Sequence, residues 1–298
     1  MIPLPGAAPA DLPVIDCHAH LYDDPGGARG QRLLDAAGRL GIQRLMVSRL
    51  WADNRVPATA TPDDFRRCNR AVEGWIERAP DRLIGYCFVS CTYPEEAERE
   101  LEECFERRAF KGLKLYAACR YDDPRVLPVV ARAARYGVPT LLHVVQRRTN
   151  EIPGQYASDG HEVAHLAQRL PDARLILAHI GGGGDWAFSI KAVRPFPNVY
   201  VDLSGSGIDA GMVEAACAAV GPNRLLFGTD SSMCEGVGKL HGADLSPEAK
   251  APIWGANCLR LLSPLPLGEG LGVGLPLMIV DANCAIGHWP FRRLWTTT

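Results

Sequence analysis

The chain has 298 residues, 47% of them hydrophobic and 22% charged, which is apolar material enough for one large domain of α/β-barrel size or two small ones. A formal net charge of −2 supplies neither a basic footprint for nucleic acid nor a polybasic patch for a membrane surface, so a small molecule is the expected partner. Ten cysteines scattered without C-x-x-C pairs read as reduced thiols in a cytoplasmic protein; the first 13 residues lack the pattern of a secretory signal, and no run of 18 apolar residues occurs.

From residue 14 onward, short apolar runs alternate with longer amphipathic stretches. Eight strands are expected, at 14–20, 44–50, 83–90, 110–116, 139–145, 173–180, 199–205 and 225–230. Most are almost continuously apolar, as parallel strands covered on both faces should be. Helical patterns separate them. Gln31–Gly41 follows a glycine-rich loop, Thr61–Pro80 opens on a candidate N-cap and a proline, and Pro94–Arg108 concentrates its acids at the start. Further helices are expected at 123–137, 159–170, 209–221 and 246–262, and a weaker one at 185–196. Eight such units over about 250 residues match a (β/α)8 barrel, and no G-x-G-x-x-G follows the first strand to favour an open nucleotide-binding sheet.

Residues 263–298 differ in kind. A Pro/Gly/Leu-rich stretch reads as a linker, and the segment from Met278 repeats the pattern of the chain's own opening. Set against Asp16, Asp281 places Asn283 and Ala285 where His18 and His20 stand, so the second copy lacks both histidines. The domain is therefore expected to end at residue 262, with an appendage resembling the start of a second, related chain.

The opening stretch VIDCHAH carries the strongest chemical signal. Alternation along a strand would turn Asp16, His18 and His20 to one face and Cys17 and Ala19 to the other, giving half of a divalent-cation site. The remaining metal-type residues stand at or near the ends of later strands: His143 on the fifth, His179 on the sixth, Asp230 on the eighth. In a barrel of this kind, those ends converge on one open mouth.

The order H-x-H, a fifth-strand His, AHIGGGGDW, GTD and GANCLRLL resembles the metal-dependent amidohydrolase superfamily in its amidohydrolase-2, ACMSD-like branch, over about residues 14–262. That resemblance implies one divalent metal, zinc or else manganese, on His18, His20, His143 and Asp230. It makes His179 and Asp230 the catalytic acid/base residues. The expected activity is hydrolysis of a small cyclic or carboxylated substrate by a metal-activated water; the alternative is non-oxidative decarboxylation at the same mononuclear site. Lys114, on the fourth strand, stands where two-metal relatives carry a bridging lysine, and one metal is preferred. Arg49, Trp51, Tyr116 and Arg147 follow strands at the mouth and are candidate substrate contacts. Gly181–Gly184 would let backbone approach a substrate closely, whereas Asn257, His161, His165 and His241 are expected to play no part in the chemistry. A homodimer is compatible with this composition.

Overall fold

A computed structural model describes residues 13–22, 26–52, 56–108, 110–145, 156–182, 186–205, 207 and 209–263. The chain divides into two units, Met1–Pro264 and Leu265–Thr298. The appendage read in the sequence lies, from residue 264, outside the described residues, as do Arg147, Gly183 and Gly184.

Eight parallel strands form one sheet in sequential order: β1 (Ile15–His20), β2 (Arg44–Ser48), β3 (Leu83–Val89), β4 (Gly112–Leu115), β5 (Thr140–Leu142), β6 (Leu175–Leu177), β7 (Val199–Asp202) and β8 (Leu225–Leu226). The sheet closes on itself. Cys17 N–H donates to Phe227 O at 2.9 Å, and Asp230 N–H donates to His18 O at 2.7 Å, joining β1 to the segment that leaves β8. The result is a (β/α)8 barrel.

The helices between strands are α1 (Ala28–Arg39), α2 (Pro62–Arg78), α3 (Pro94–Glu102), α4 (Val126–Arg135), α5 (Gly160–Arg169), α6 (His179–Gly182), α7 (Trp186–Val193) and α8 (Met212–Val220). Three more, α9 (Met233–Gly242), α10 (Pro247–Ala251) and α11 (Asn257–Leu262), follow β8. Their starts are set locally: Thr61 and Asp64 form a capping box on α2, and Asp159 and Glu162 form one on α5. The weak pattern at 185–196 does give a helix, α7. By contrast, α9 is absent from the sequence expectation, because its glycines and short apolar spacing blur the helical period.

Outward side chains of the strands, such as Leu45, Val47, Leu113, Leu115, Leu175, Leu177, Val199 and Val201, pack in the core between sheet and helices. Inward ones, including Ile15, Met46, Ile84, Tyr86, Leu141, Ile176 and Leu226, fill the barrel itself. Two residues further along the same inward faces, the side chains become polar: Ser48 after Met46, His143 after Leu141, Asp202 after Tyr200. The apolar interior thus ends in a polar layer at the C-terminal mouth.

The simple alternation expected of β1 fails. Its register against β2 jumps between Asp16, opposite Leu45, and Ala19, opposite Val47, so one extra residue is accommodated. The bulge parts Cys17, which lies in the barrel interior with Ile15, from Ala19, which packs in the outer core. Asp16, rather than joining the histidines, is tied to the strand–loop junction: it accepts from Thr229 N–H at 3.0 Å and from the Thr229 hydroxyl at 2.6 Å.

Candidate metal centre at the barrel mouth

Two residues apart on one short strand, two histidines aim ring nitrogens at one point. His18 Nε2 and His20 Nε2 lie 3.2 Å apart. Asp230 Oδ1 stands 3.0 Å from His20 Nε2 and 3.6 Å from His18 Nε2. Among the described residues, these three form a group able to hold one metal ion, with ligating atoms all within 4.8 Å of one another.

Each histidine is oriented from behind. His18 Nδ1 donates to Asp202 Oδ2 at 2.7 Å, because a carboxylate can only accept. The proton is thereby fixed on Nδ1, and the Nε2 lone pair faces the site. Ser204 Oγ is a second neighbour of the same Nδ1, at 3.1 Å. His20 Nδ1 meets Ser48 Oγ at 2.9 Å, and the His20 N–H donates to Ser231 Oγ at 2.9 Å.

Electrostatics agree with a cation at the centre. Burial, with Lys114 adding to it, pushes His18 down to about 4, and burial likewise lowers His20, so both rings are neutral at pH 7. Burial alone would raise Asp230, but the His20 hydrogen bond and the neighbouring His18 and His179 rings hold its carboxyl below the usual range. Two lone pairs and a carboxylate oxygen converging at these distances call for positive charge. Part of it comes from Lys114, fully buried, whose Nζ donates to His18 Nε2 at 3.0 Å. Burial depresses that ammonium to about 8. Two imidazoles and a carboxylate suit Zn2+ or Mn2+, so the residues present fit the ion expected from the sequence.

His143 and His179 form a second pair across the mouth, with His143 Nδ1 and His179 Nε2 at 2.9 Å. His143 therefore turns its Nδ1 toward His179. Burial lowers both, with the His179 ring adding to it at His143 and the His18 ring at His179, which falls to about 3. His179 Nδ1 lies 3.0 Å from Ser204 Oγ and 3.9 Å from Asp230 Oδ2. The expectation that strand six runs to residue 180 needs correction: β6 stops at Leu177, and His179 and Ile180 have φ of 57° and 44°. Asp230 and Ser231 also have positive φ, 51° and 65°. For residues with a Cβ, this conformation costs roughly 1–3 kcal/mol each, and here it bends both side chains toward the mouth.

Of the expected substrate contacts, Trp51 sets its ring edge-on to His20 at 5.7 Å and stacks on Tyr22 at 5.3 Å. Tyr116 stacks on His143 at 4.2 Å. Arg49 donates its Nε–H to Trp51 O at 3.0 Å, bracing the loop that carries the tryptophan. Sequence reasoning missed Asp202, Ser204, Ser48 and Tyr22. The available signal was an acid followed by Ser204 at the end of an otherwise apolar strand, where a buried charge needs a partner.

The profile of the amidohydrolase family matches residues 15–263. A curated relative, the gamma-resorcylate decarboxylase of Polaromonas sp. strain JS666, is 25% identical over 224 residues, covering 58% of this chain and 67% of its own. Among solved structures, the 2,6-dihydroxybenzoate decarboxylase from Rhizobium superposes with a TM-score of 0.64 at 18% identity, covering 84% of this chain and 98% of that one. The dihydroxybenzoic acid decarboxylase from Polaromonas sp. JS666, with bound manganese and 2-nitroresorcinol, gives 0.65 at 18% identity, with coverage of 84% and 97%. At that identity the structural likeness speaks for the barrel fold. The profile match runs from β1 to the end of α11, and the chain belongs to the amidohydrolase family, in its amidohydrolase-2 branch.

Proposed function

We propose that this protein is a metal-dependent carboxy-lyase that removes the carboxyl group of a hydroxylated aromatic acid without an oxidant. The observation that carries the proposal is the company of flat aromatic rings kept by the His18, His20 and Asp230 group: Trp51, stacked on Tyr22, sets its edge to His20, and Tyr116 stacks on His143, whose ring meets His179. Such walls suit a planar ring. A cavity of about 510 Å3 opens beside His20, with Tyr22, Leu33, Met233 and Ser231 in its lining and the exposed Arg29 and Arg32 bordering it. Those guanidinium groups favour an anionic substrate. The curated relative adds weight, since its name specifies decarboxylation of gamma-resorcylate. Hydrolysis, the first expectation from the sequence, would use the same donors.

When bound, a divalent cation would supply a Lewis-acid anchor for substrate oxygens. The chain's own groups account for the rest. The ring carbon that carries the carboxylate takes a proton; its bond to the carboxyl carbon then breaks, the electron pair returns to the ring, and CO2 leaves. Atoms and charge balance with one proton drawn from solvent. Asp230, 33% exposed, is the group placed to deliver it, because Oδ1 rests on His20 while Oδ2 faces His179. His179 and Ser204 would hold that proton path in register. Lys114 offsets the negative charge of a bound carboxylate. Trp51 and Tyr22 keep water from the ring face.

Product analysis tests the proposal. Metal-loaded protein incubated with 2,6-dihydroxybenzoate and related hydroxybenzoates in D2O should release CO2 and leave one deuterium at the vacated ring position. Opening of lactones with no CO2 from any hydroxybenzoate would overturn it in favour of the hydrolase.

A further inference from the structure

We infer that His161 and His165 form a second, surface metal site on α5, selective for late first-row cations such as Cu2+ and Zn2+ and separate from the barrel mouth. Residues 161–165 read H-E-V-A-H, which places two histidines one turn apart on a single helix face. Both are exposed, and their rings stand with centroids 4.4 Å apart at 52°. Two imidazoles at that spacing can close a chelate on one ion, with water completing the shell.

The glutamate of the motif does something other than proton transfer. Glu162 is fully buried. It accepts from Asp159 N–H at 2.9 Å and from Arg120 Nη2 at 3.1 Å. It is therefore unable to act as the base of a metallopeptidase and instead pins the first turn of the helix. Asp159 returns the contact by accepting from His161 N–H at 2.9 Å. The turn is also pressed against α7: a Cβ on Gly160 would come within 2.5 Å of Ser189 backbone. The pair thus stands on a rigid base, so little ordering opposes chelation.

Among the described residues, the carboxylates that border His165 are paired with arginines. Asp122 and Asp123 border the same depression as His165, yet Asp122 binds Arg120 at 2.5 Å and Asp123 binds Arg125 at 2.8 Å. Among the described residues, the donors are then nitrogen alone. Nitrogen-only pairs rank copper above zinc and hold manganese weakly, whereas the mouth, with its carboxylate, suits either zinc or manganese. A second equivalent of zinc would accordingly arise without any bridge through Lys114.

The test is stoichiometry in the full-length protein, stripped with chelator and dialysed against ZnCl2, CuSO4 or MnCl2, followed by elemental analysis. The wild type should hold two equivalents of zinc or copper but one of manganese. The double variant His161→Ala/His165→Ala, altered only at exposed positions, should fall to one equivalent of each, and the wild-type copper spectrum should lose its nitrogen-ligated surface component. Lys114→Met should retain the second zinc. Retention of two equivalents by the double variant, or loss of the second zinc in Lys114→Met alone, would overturn the inference.

Discussion

Asp202→Asn should weaken metal binding by about 10- to 100-fold, although this side chain does not itself belong to the metal-holding group. Its carboxylate is fully buried, accepts the Nδ1 proton of His18 at 2.7 Å, and uses its other oxygen to accept the Ser204 N–H. Both neighbours are donors. An asparagine has one acceptor oxygen, so its amide N–H2 must confront either His18 Nδ1–H or Ser204 N–H. The loss of one charge-assisted hydrogen bond in a buried setting is worth about 1.5–3 kcal/mol. Converted at about 1.4 kcal/mol per tenfold, that energy agrees with the stated range. If the ring answers by moving its proton to Nε2, the lone pair facing Asp230 disappears as well. The assay is competition for Zn2+ against a chromogenic chelator, run beside chemical unfolding to verify that the variant is folded. A folded Asp202→Asn with wild-type affinity would refute the orienting role.

Other positions give equally direct outcomes. Asn257 donates from Nδ2 to Pro222 O at 2.8 Å and Leu225 O at 2.7 Å, so Asn257→Ala leaves buried carbonyls without partners. It should lower the urea-unfolding free energy by about 2–4 kcal/mol while activity per folded molecule stays unchanged. A Cβ on Gly255 would collide with the Pro13 carbonyl at the entry to β1, and Gly255→Ala should cost about 1–3 kcal/mol by the same measurement. Burial raises the thiol of Cys258 to about 12 and also raises those of Cys87 and Cys91, where unfolded thiols titrate near 8.5. The folded pKa being the higher one, their stabilising contribution is complete below about pH 8.5 and is lost as pH climbs toward the folded values, at about 1.4 kcal/mol per pH unit per thiol. Urea midpoints at pH 8 and pH 10.5 check this, and Cys258→Ala should show a shallower decline.

The barrel was legible because its signals are repeated and local: eight apolar runs, a helix cap such as Thr61, and metal-type residues near the ends of strands. What escaped depended on contacts between distant segments. The β1 bulge cannot be read from VIDCHAH, since it arises from register against β2, and it removes Asp16 from the face that simple alternation assigns to it. Asp202 and Ser48 are silent alone and acquire meaning only when β7 and β2 deliver them behind His18 and His20. His179 was placed on a strand because the run at 173–180, ARLILAHI, looks extended, whereas its positive φ starts a tight left-handed turn. His143, expected among the metal donors, has its Nδ1 against His179, a pairing that depends on β5 and the segment after β6 meeting at the mouth. The glycine-interrupted α9 lacked a periodic signature, and the residues from 264 onward lie outside the described part of the chain.

The central claim is a mononuclear metal site on His18, His20 and Asp230. It is met most directly by the manganese content of protein stripped and reloaded with MnCl2, measured by elemental mass spectrometry for the wild type, His18→Ala, Asp230→Ala and Lys114→Met. One equivalent in the wild type, lost in His18→Ala and Asp230→Ala and kept in Lys114→Met, is the predicted result. Two equivalents that fall together when Lys114 is replaced, or manganese that persists without His18 and Asp230, would contradict it.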